Sequence, residues 1–397
     1  MRASATLCYK DLSCPRSILL RSGKQPQLGR EIVKSKHILL VRPKYYSAYP
    51  PLGLLKLSAY HKKLGDTTEL VYGTEEPDNA EPDKIYVTSL FTWAWEPVWQ
   101  TIRHYLSEFP NSELWLGGLY ASLMPEHAAL SGVNPEHIFK GIFHEAECLC
   151  PDYDLVPEWN KRSKASIVFA SRGCIRSCTF CGVSRIEGKL NSERNSIKDL
   201  LWPGHTKVIF FDNNFLASEN WENILSEVRD LGLSVDFNQG LDARLITEEV
   251  AKKISEVKMD RFVRISYDTS EMGPAVKRAI ESLDSSGIKR RDILVYLLYN
   301  FTDSPQDLFL RIKKVLSWGA VAYPMRFQPV YTLRKNDYIS PKWDTIRLGA
   351  IATARRVFGA GGTFPPYNGM MKVKVEGCQS FDDAFKEFIF PKEEMVQ

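Results

Sequence analysis

Hydrophobic and polar residues follow one repeating order over residues 37–142: a short apolar run, a turn, and then a stretch with helical periodicity. The apolar runs predict strands at 37–42, 69–72, 84–88, 113–118 and 138–142, and the helical stretches lie at 52–64, 96–108 and 125–130. Strands that alternate with helices are joined by right-handed crossovers, so this region is predicted to form a parallel, Rossmann-like sheet.

The same order begins again at residue 166 and continues for longer. Strands are predicted at 166–170, 206–211, 233–238, 261–267, 293–299 and 325–331, with helices at 219–231, 247–257, 272–286, 304–318 and 343–357. Six such units indicate a partial (βα)6 barrel that is open on one side. In αβ barrels the chemistry gathers at the carboxyl ends of the strands. The predicted fold class is therefore α/β, with a Rossmann-like sheet followed by a partial barrel.

These patterns divide the chain into successive parts. The expected boundaries are an N-terminal arm at 1–36, a Rossmann-like front domain at 37–150, a linker at 151–165, the barrel at 166–358 and a tail at 359–397 that forms a lid or a cap.

The composition limits which partners the protein can have and in which cellular compartment it is expected. Across 397 residues, 52 Lys and Arg stand against 48 Asp and Glu, so the net charge of +4 does not indicate nucleic acid. No apolar run reaches the roughly 18 residues that a membrane span needs, and the N-terminus lacks a signal-peptide core. Eight cysteines, three of them in one loop, favour a metal in a reducing compartment over a disulfide framework. We therefore expect a cytoplasmic protein.

The three clustered cysteines are Cys174, Cys178 and Cys181, directly after the first strand of the barrel. They supply one ligand fewer than a closed four-cysteine site needs. A zinc site would take a fourth ligand such as Cys378 or His205, although no second pair of cysteines is present to match it. A ferredoxin-like carrier needs four cysteines for each cluster. A 4Fe-4S cluster with one open iron needs only these three.

The Cys-x-x-x-Cys-x-x-Cys spacing, with Phe180 before the last cysteine, resembles the radical S-adenosylmethionine superfamily. The resemblance implies a 4Fe-4S cluster whose open iron is chelated by S-adenosylmethionine. It implies reductive cleavage to methionine and a 5′-deoxyadenosyl radical, which abstracts hydrogen from a substrate that the sequence does not identify. It also implies a reductant protein of the flavodoxin or ferredoxin type. Phe180 itself is assigned to the cofactor site.

Further cofactor contacts are expected at later strand ends. In the superfamily a polar motif after the second strand meets the methionine amino group, which here makes Asp212, Asn213 and Asn214 the candidates. A helix N-cap is the competing interpretation, since Asp and Asn cap helices well. The third strand ends in Asn238, Gln239, Asp242 and Arg244, which could serve cofactor or substrate, or bond the strand end itself; Gln239 is the residue assigned to the cofactor.

On the fourth strand, Ser266 and Asp268 stand where members of the superfamily often have the glycine and glutamate of Gly-Ile-Glu-Ser. We assign both to the cofactor, although this departure weakens the ribose or carboxylate contact that the family pattern implies. Tyr299 and Asn300, at the end of the fifth strand, are weaker candidates.

The front domain resembles the cobalamin-binding radical enzymes, in the sequences at 50–54, 117–118 and 152–157. The cobalt-ligating motif Asp-x-His-x-x-Gly is absent, and His61 and His104 lie in predicted helices. The sequence therefore leaves cobalamin open and does not predict it. Methylthiotransferases need a second three-cysteine cluster in the front domain, and residues 37–147 contain no cysteine, so that class is excluded.

Three functions follow from these observations. The first is a radical S-adenosylmethionine enzyme that abstracts hydrogen, and the second is a cobalamin-dependent radical methyltransferase. The third, of another class, is a zinc-stabilised binding protein that is not an enzyme. The remaining cysteines have no assigned role: Cys8, Cys14, Cys148, Cys150 and Cys378.

Overall fold

The computed structural model describes residues 35–78, 81–191, 193–357, 361–366 and 369–389. Within them the strands are β1 (His37–Arg42), β2 (Thr67–Tyr72), β3 (Lys84–Ser89), β4 (Glu113–Gly118), β5 (Ala165–Val168), β6 (Lys207–Phe210), β7 (Ser234–Phe237), β8 (Lys258–Met259), β9 (Val263–Ser266), β10 (Ile293–Tyr299) and β11 (Val321–Arg326). The α helices are α1 (Leu52–Leu64), α2 (Trp95–Glu108), α3 (Leu119–Leu123), α4 (Pro125–Ala129), α5 (His144–Glu147), α6 (Pro157–Arg162), α7 (Val183–Ile186), α8 (Trp221–Asp230), α9 (Glu248–Ser255), α10 (Gly273–Ser285), α11 (Pro305–Ser317), α12 (Thr345–Val357), α13 (Gly369–Gly377) and α14 (Phe381–Ile389).

The front sheet has the strand order β2-β1-β3-β4, with all strands parallel. Alternate residues of β1 enter opposite cores: Leu39 and Val41 join the cluster that contains residues of α2, and Leu40 packs with Leu54 of α1. Burying such a side chain stabilises the fold by about 1.5–3 kcal/mol. The sheet is thus covered on both faces, as the near-continuous apolar sequence of β1 predicts.

The strand predicted at 138–142 is wrong in extent. Only one parallel bridge joins Ile138 to Leu116, and Phe139 donates its N–H to the Leu116 carbonyl oxygen at 2.8 Å. Gly141 then takes a φ of 86°, which turns the backbone away from the sheet towards α5.

Gly118, the second glycine of the pair at the end of β4, has a packing explanation. Gly118 has a φ of 102°, and a Cβ built there would lie 2.0 Å from the carbonyl oxygen of Ser89 on β3. No side chain fits so close to a neighbouring backbone. The close approach of β4 to β3 therefore accounts for this glycine without a ligand.

The second sheet system is the partial barrel. One sheet runs β5-β6-β7-β8 and the other β11-β10-β9, all with parallel pairing, and a bridge from Leu241 to Ile265 joins the two. The outermost strands of this combined order are β5 and β11, so the barrel remains open between them. The predicted fold class is confirmed, with the two-residue β8 as an addition.

Strand β11 begins four residues earlier than predicted, at Val321 instead of residue 325. It includes Pro324, which lacks an N–H donor and is tolerated in sheets mainly on edge strands. Strand β11 pairs along its length with β10, whereas its other side carries only a single antiparallel bridge from Ala322 to Phe364 among the described residues; β11 is therefore an edge strand, in which Pro324 is accommodated. The proline and the polar residues after it obscured the boundary in the sequence.

The loop after β1 carries the front domain into the barrel. Tyr49 packs against Phe211 and Trp159, with ring centroids 5.0 and 6.0 Å away. Its hydroxyl donates to Asn238 Oδ1 at 2.6 Å, directly after β7. A front-domain residue therefore contacts the strand ends of the barrel.

The segment at 151–165 is packed between the two sheets. Tyr153 is fully buried, and its hydroxyl oxygen accepts the Ile167 N–H at 2.7 Å. In the tail, α13 and α14 pack against α11 and α12, so its described residues form a cap on the helical layer. The arm, with Cys8 and Cys14, lies outside the described residues except for 35–36. No helix among the described residues is long and apolar enough to cross a membrane.

Candidate functional site

The cysteine loop leaves the carboxyl end of β5 and is closed at its base. Arg172 and Asn191 exchange two backbone hydrogen bonds, of 2.9 and 2.8 Å. Between them Gly173 has a φ of 75°, and a Cβ there would lie 2.1 Å from the Lys189 carbonyl oxygen. Only glycine meets both conditions. The first cysteine, Cys174, is therefore placed by a tight backbone crossing immediately before it.

An ion pair fixes the loop to the end of β7. Arg176, between the first two cysteines, donates from Nε to Asp242 Oδ2 at 3.0 Å, and Arg244 donates to both oxygens of the same carboxylate. Although burial opposes it, hydrogen bonds from Arg244 and Arg176 lower the pKa of Asp242. Asp242 and Arg244, which the sequence left open between ligand binding and structure, therefore bond each other and the cysteine loop.

The three thiols are partly exposed on this loop. Burial, and then the proximity of Cys181 and Asp268, raises the pKa of Cys178; burial and the neighbouring Cys174 raise that of Cys181. Such thiols keep their protons until a metal stabilises the thiolates. Among the described residues, no three His, Cys, Asp or Glu side chains converge as ligands of a single ion. A cluster bonds each thiolate to a different iron, and three thiols on one loop match that donor set.

The three polar residues after β6 have different environments. Asp212 accepts from the backbone N–H groups of Ala170 and Ser171 at 3.0 and 2.6 Å, and from the Ser171 hydroxyl at 2.9 Å. Asn213 donates to Glu187 Oε2 at 2.9 Å. Both side chains thus hold the base of the cysteine loop.

Asn214 alone of the three has a buried acceptor without a partner. It is 3% exposed, its Nδ2 lies 3.7 Å from Cys174 Sγ, and its Oδ1 is buried without a hydrogen-bond partner. Although it precedes a short 3-10 turn, its side chain makes no capping bond. A buried unpaired acceptor beside the first cysteine is the feature that an ammonium donor would satisfy.

Asp212 predicts a pH dependence of stability. Burial raises its pKa from 3.8 to about 6, against the three donors that favour the ionised form. The folded state therefore prefers the protonated acid, and the stability this contributes is lost as the pH rises from about 4 to about 6. The unfolding free energy of the iron-free wild type, relative to Asp212→Asn, is expected to fall by about 2 kcal/mol over this interval, and by about 3 kcal/mol between about pH 3 and about pH 7. Urea titrations at several pH values measure this difference, and a constant difference would contradict it.

The residues assigned to the cofactor at the ends of β7 and β9 differ in their exposure and in their contacts. Gln239 is exposed, whereas Ser266 is the last residue of β9 and pairs with Tyr296. Burial raises the pKa of Asp268 to about 6, while Arg311 and Arg244 oppose this rise. The electrostatic coupling of Asp268 to Cys178 and Cys181 places it near the cysteine loop.

Phe180 packs against the residue that follows Asn300, at the end of β10. The Phe180 ring packs edge-on against Phe301, with centroids 5.6 Å apart. Asn300 is fully buried at a φ of 66°; its Nδ2 donates to the carbonyls of Phe327 and Tyr338, and its Oδ1 accepts the Ser340 N–H at 2.9 Å. Asn300 thus fixes the loop after β11 rather than presenting free polar atoms.

Sequence reasoning missed Arg311 on α11. This guanidinium is 1% exposed and donates to the carbonyls of Tyr267, Asp268 and Leu298 and to the carboxylate of Asp303. It ties the ends of β9 and β10 together beneath Asp268. The signal was present: Arg311 interrupts the apolar face of a helix on which Leu308, Ile312 and Val315 are buried.

The zinc alternative loses one of its suggested ligands. Both ring nitrogens of His205 are engaged, with Ser166 Oγ at 2.9 Å and Asn160 Oδ1 at 3.1 Å. Of the unassigned cysteines, Cys150 lies against the Leu200 carbonyl at 3.5 Å, and burial raises the pKa of its thiol to about 11. Such a thiol stays protonated at neutral pH.

Comparisons with known proteins give structural matches. No family model and no curated protein matches the chain. The radical S-adenosylmethionine methyltransferase TsrM from Kitasatospora setae, solved with tryptophan substrate and an S-adenosylmethionine analogue, aligns with a TM-score of 0.57 and 14% identity over 90% of this chain and 84% of that chain. Coproporphyrinogen III oxidase (HemN) from Escherichia coli, a radical S-adenosylmethionine enzyme, aligns over 58% of this chain and 63% of that chain, with 12% identity and a TM-score of 0.35. The chain has the fold of a radical S-adenosylmethionine enzyme, which confirms at the level of the fold the resemblance indicated by the cysteine loop.

Proposed function

We propose that the protein is a radical S-adenosylmethionine enzyme that abstracts hydrogen from its substrate. The observation that carries the proposal is the joint position of two features at the carboxyl end of the barrel. A loop with three thiols follows β5, and the free acceptor of buried Asn214 lies beside the first of them. In αβ barrels the active site lies at the carboxyl ends of the strands.

Each residue then has a defined task. Cys174, Cys178 and Cys181 would hold a 4Fe-4S cluster, and Asn214 Oδ1 would accept a hydrogen bond from the methionine ammonium group. Asp268 and Ser266, at the end of β9, are the candidates for the remaining polar groups of the cofactor. When bound, the cluster and S-adenosylmethionine supply the one-electron cleavage that yields the 5′-deoxyadenosyl radical, with a reductant protein of the flavodoxin or ferredoxin type as electron source.

Methyl transfer is the second candidate. The observation that favours it is the alignment of both domains with a methyltransferase over 90% of the chain. A cobalamin would find no ligand in His61, whose ring nitrogens bond Asp66 at 2.8 Å and Tyr86 at 3.1 Å. His104 lies within α2, away from the strand ends. A cobalamin spectrum in protein produced with the vitamin, and its stoichiometric retention, would favour methyl transfer over hydrogen abstraction alone.

The test of the proposed function uses the full chain purified without oxygen. We expect a brown protein with visible absorption, close to four irons and four sulfides for each chain by the donor argument, and formation of 5′-deoxyadenosine after addition of dithionite and S-adenosylmethionine. A colourless chain with one bound zinc would favour the zinc-stabilised binding protein. A brown protein that forms no 5′-deoxyadenosine would refute the cleavage reaction.

A further inference from the structure

Glu147, at the end of α5, joins the front domain to the barrel. Its carboxylate accepts from Lys56 Nζ of α1 at 3.2 Å and from Arg172 Nε at 2.8 Å. Its backbone carbonyl accepts from Lys56 Nζ at 3.0 Å and from Arg194 Nη2 at 2.5 Å. One front-domain residue therefore holds two arginines, one at the start and one just beyond the end of the cysteine loop.

The contacts continue from Arg172 to the cysteines. Arg172 Nη1 lies 3.2 Å from Glu187 Oε1, and Glu187 Oε2 accepts from the Gly173 N–H and from Asn213 Nδ2, both at 2.9 Å. Gly173 directly precedes Cys174, and Asn213 directly precedes Asn214. The path from α1 thus ends at the two residues that neighbour the proposed cluster ligand and the proposed cofactor contact.

The charges along this path depend on one another. The side chains of Lys56, Glu147, Arg172 and Glu187 are between 7% and 16% exposed. Burial lowers the pKa of Lys56 to about 8. Burial alone would raise the pKa of Glu147, but the positive charges of Arg172 and Lys56 outweigh it and lower that pKa to about 2. Without the Glu147 carboxylate, Lys56 would be buried beside two arginines with no anion between them. Such an arrangement is costly, so the loop base is expected to open.

We propose that Glu147 is a positioning residue through which the front domain fixes the cysteine loop of the barrel. This inference rests on the proposed function for its significance, because a fixed loop matters where Cys174 and Asn214 must face one cofactor. It assigns the front domain a role that requires no ligand of its own. The domain supports the site mechanically.

The test compares Glu147→Gln with Glu145→Gln, a matched control on the exposed side of the same helix. Amide hydrogen exchange is measured on the full chain without iron. In Glu147→Gln we expect peptides covering 171–191 to exchange about tenfold faster, while peptides of β10 and α11 exchange as in the wild type. Glu145→Gln is expected to match the wild type throughout. Unchanged exchange at 171–191 in Glu147→Gln would overturn the inference.

A second variant covers the case in which Glu147→Gln does not fold. Glu147→Asp keeps the charge but is one methylene too short to reach both Lys56 and Arg172, and we expect exchange at 171–191 to rise about threefold. Equal exchange in this variant and the wild type would then refute the proposal. Since the measurement needs no iron, failure of the chain to bind a cluster would refute the proposed function and leave this inference intact. With loaded enzyme, the corresponding readout is a raised KM for S-adenosylmethionine with less change in kcat.

Discussion

Replacing Cys174, Cys178 or Cys181 by alanine, one at a time, is expected to abolish both the bound iron and the formation of 5′-deoxyadenosine, with activity falling by at least about a thousandfold. Three thiolates are already the minimum for a cluster with one open iron, so the loss of any one leaves two and no stable site. Iron analysis, the visible spectrum and chromatography of the nucleoside product measure the effect.

Cys148→Ala and Cys378→Ala are the matched controls, because both residues are partly exposed thiols outside the loop. Both variants are expected to retain full iron and activity. A loop variant that keeps a complete cluster would remove that cysteine from the ligand set. If Cys378→Ala lost its metal instead, Cys378 would be identified as the fourth ligand of the zinc alternative.

The second large effect is expected at Arg311. Substitution by methionine keeps much of the side-chain volume but removes the donors to three backbone carbonyls and to Asp303. Leaving the Asp303 carboxylate without its counter-ion and these carbonyls without their donor in the interior should cost about 3–5 kcal/mol. Urea unfolding of the iron-free protein measures the loss, and the KM for S-adenosylmethionine should rise because the backbone at Asp268 is no longer held.

Lys314→Met, at an exposed position of the same helix, is the control and is expected to change stability by less than about 0.5 kcal/mol. Arg311→Lys separates charge from geometry, since one ammonium cannot reach all the acceptors that the guanidinium serves. If Arg311→Met were as stable as the wild type, the hydrogen bonds from Arg311 to the ends of β9 and β10 would not be needed for stability.

The sequence was sufficient where the information is local. Strand β10 has the bounds that its apolar run predicts, and the cysteine loop was located from three cysteines and their spacing. The strand predicted at 325–331 was misplaced because Pro324 argues against a strand unless the strand is known to be an edge. That knowledge depends on the pairing of β11, which adjacent residues do not encode.

The polar residues of the site required the structure. Asp212, Asn213 and Asn214 are equivalent in the sequence, yet the structure gives each a different environment. Asp212 bonds the backbone just after β5, Asn213 bonds Glu187, and Asn214 faces Cys174 and has an unpaired Oδ1. Glu147 and Arg172 are 25 residues apart in the chain, so no local sequence pattern indicates that they form an ion pair. These roles depend on long-range contacts, and the sequence supplies the donors and acceptors without pairing them.

The contact between Tyr49 and Asn238 spans 189 residues and has a consequence for the order of events during synthesis. The front domain has its own buried core and leaves the ribosome first, so we expect it to form before the barrel. Until β7 has been made, the Tyr49 hydroxyl has only water as a partner. Tyr49 thus stays without its partner on the growing chain while the 189 residues up to Asn238 are made, a period in which its ring is accessible to chaperones.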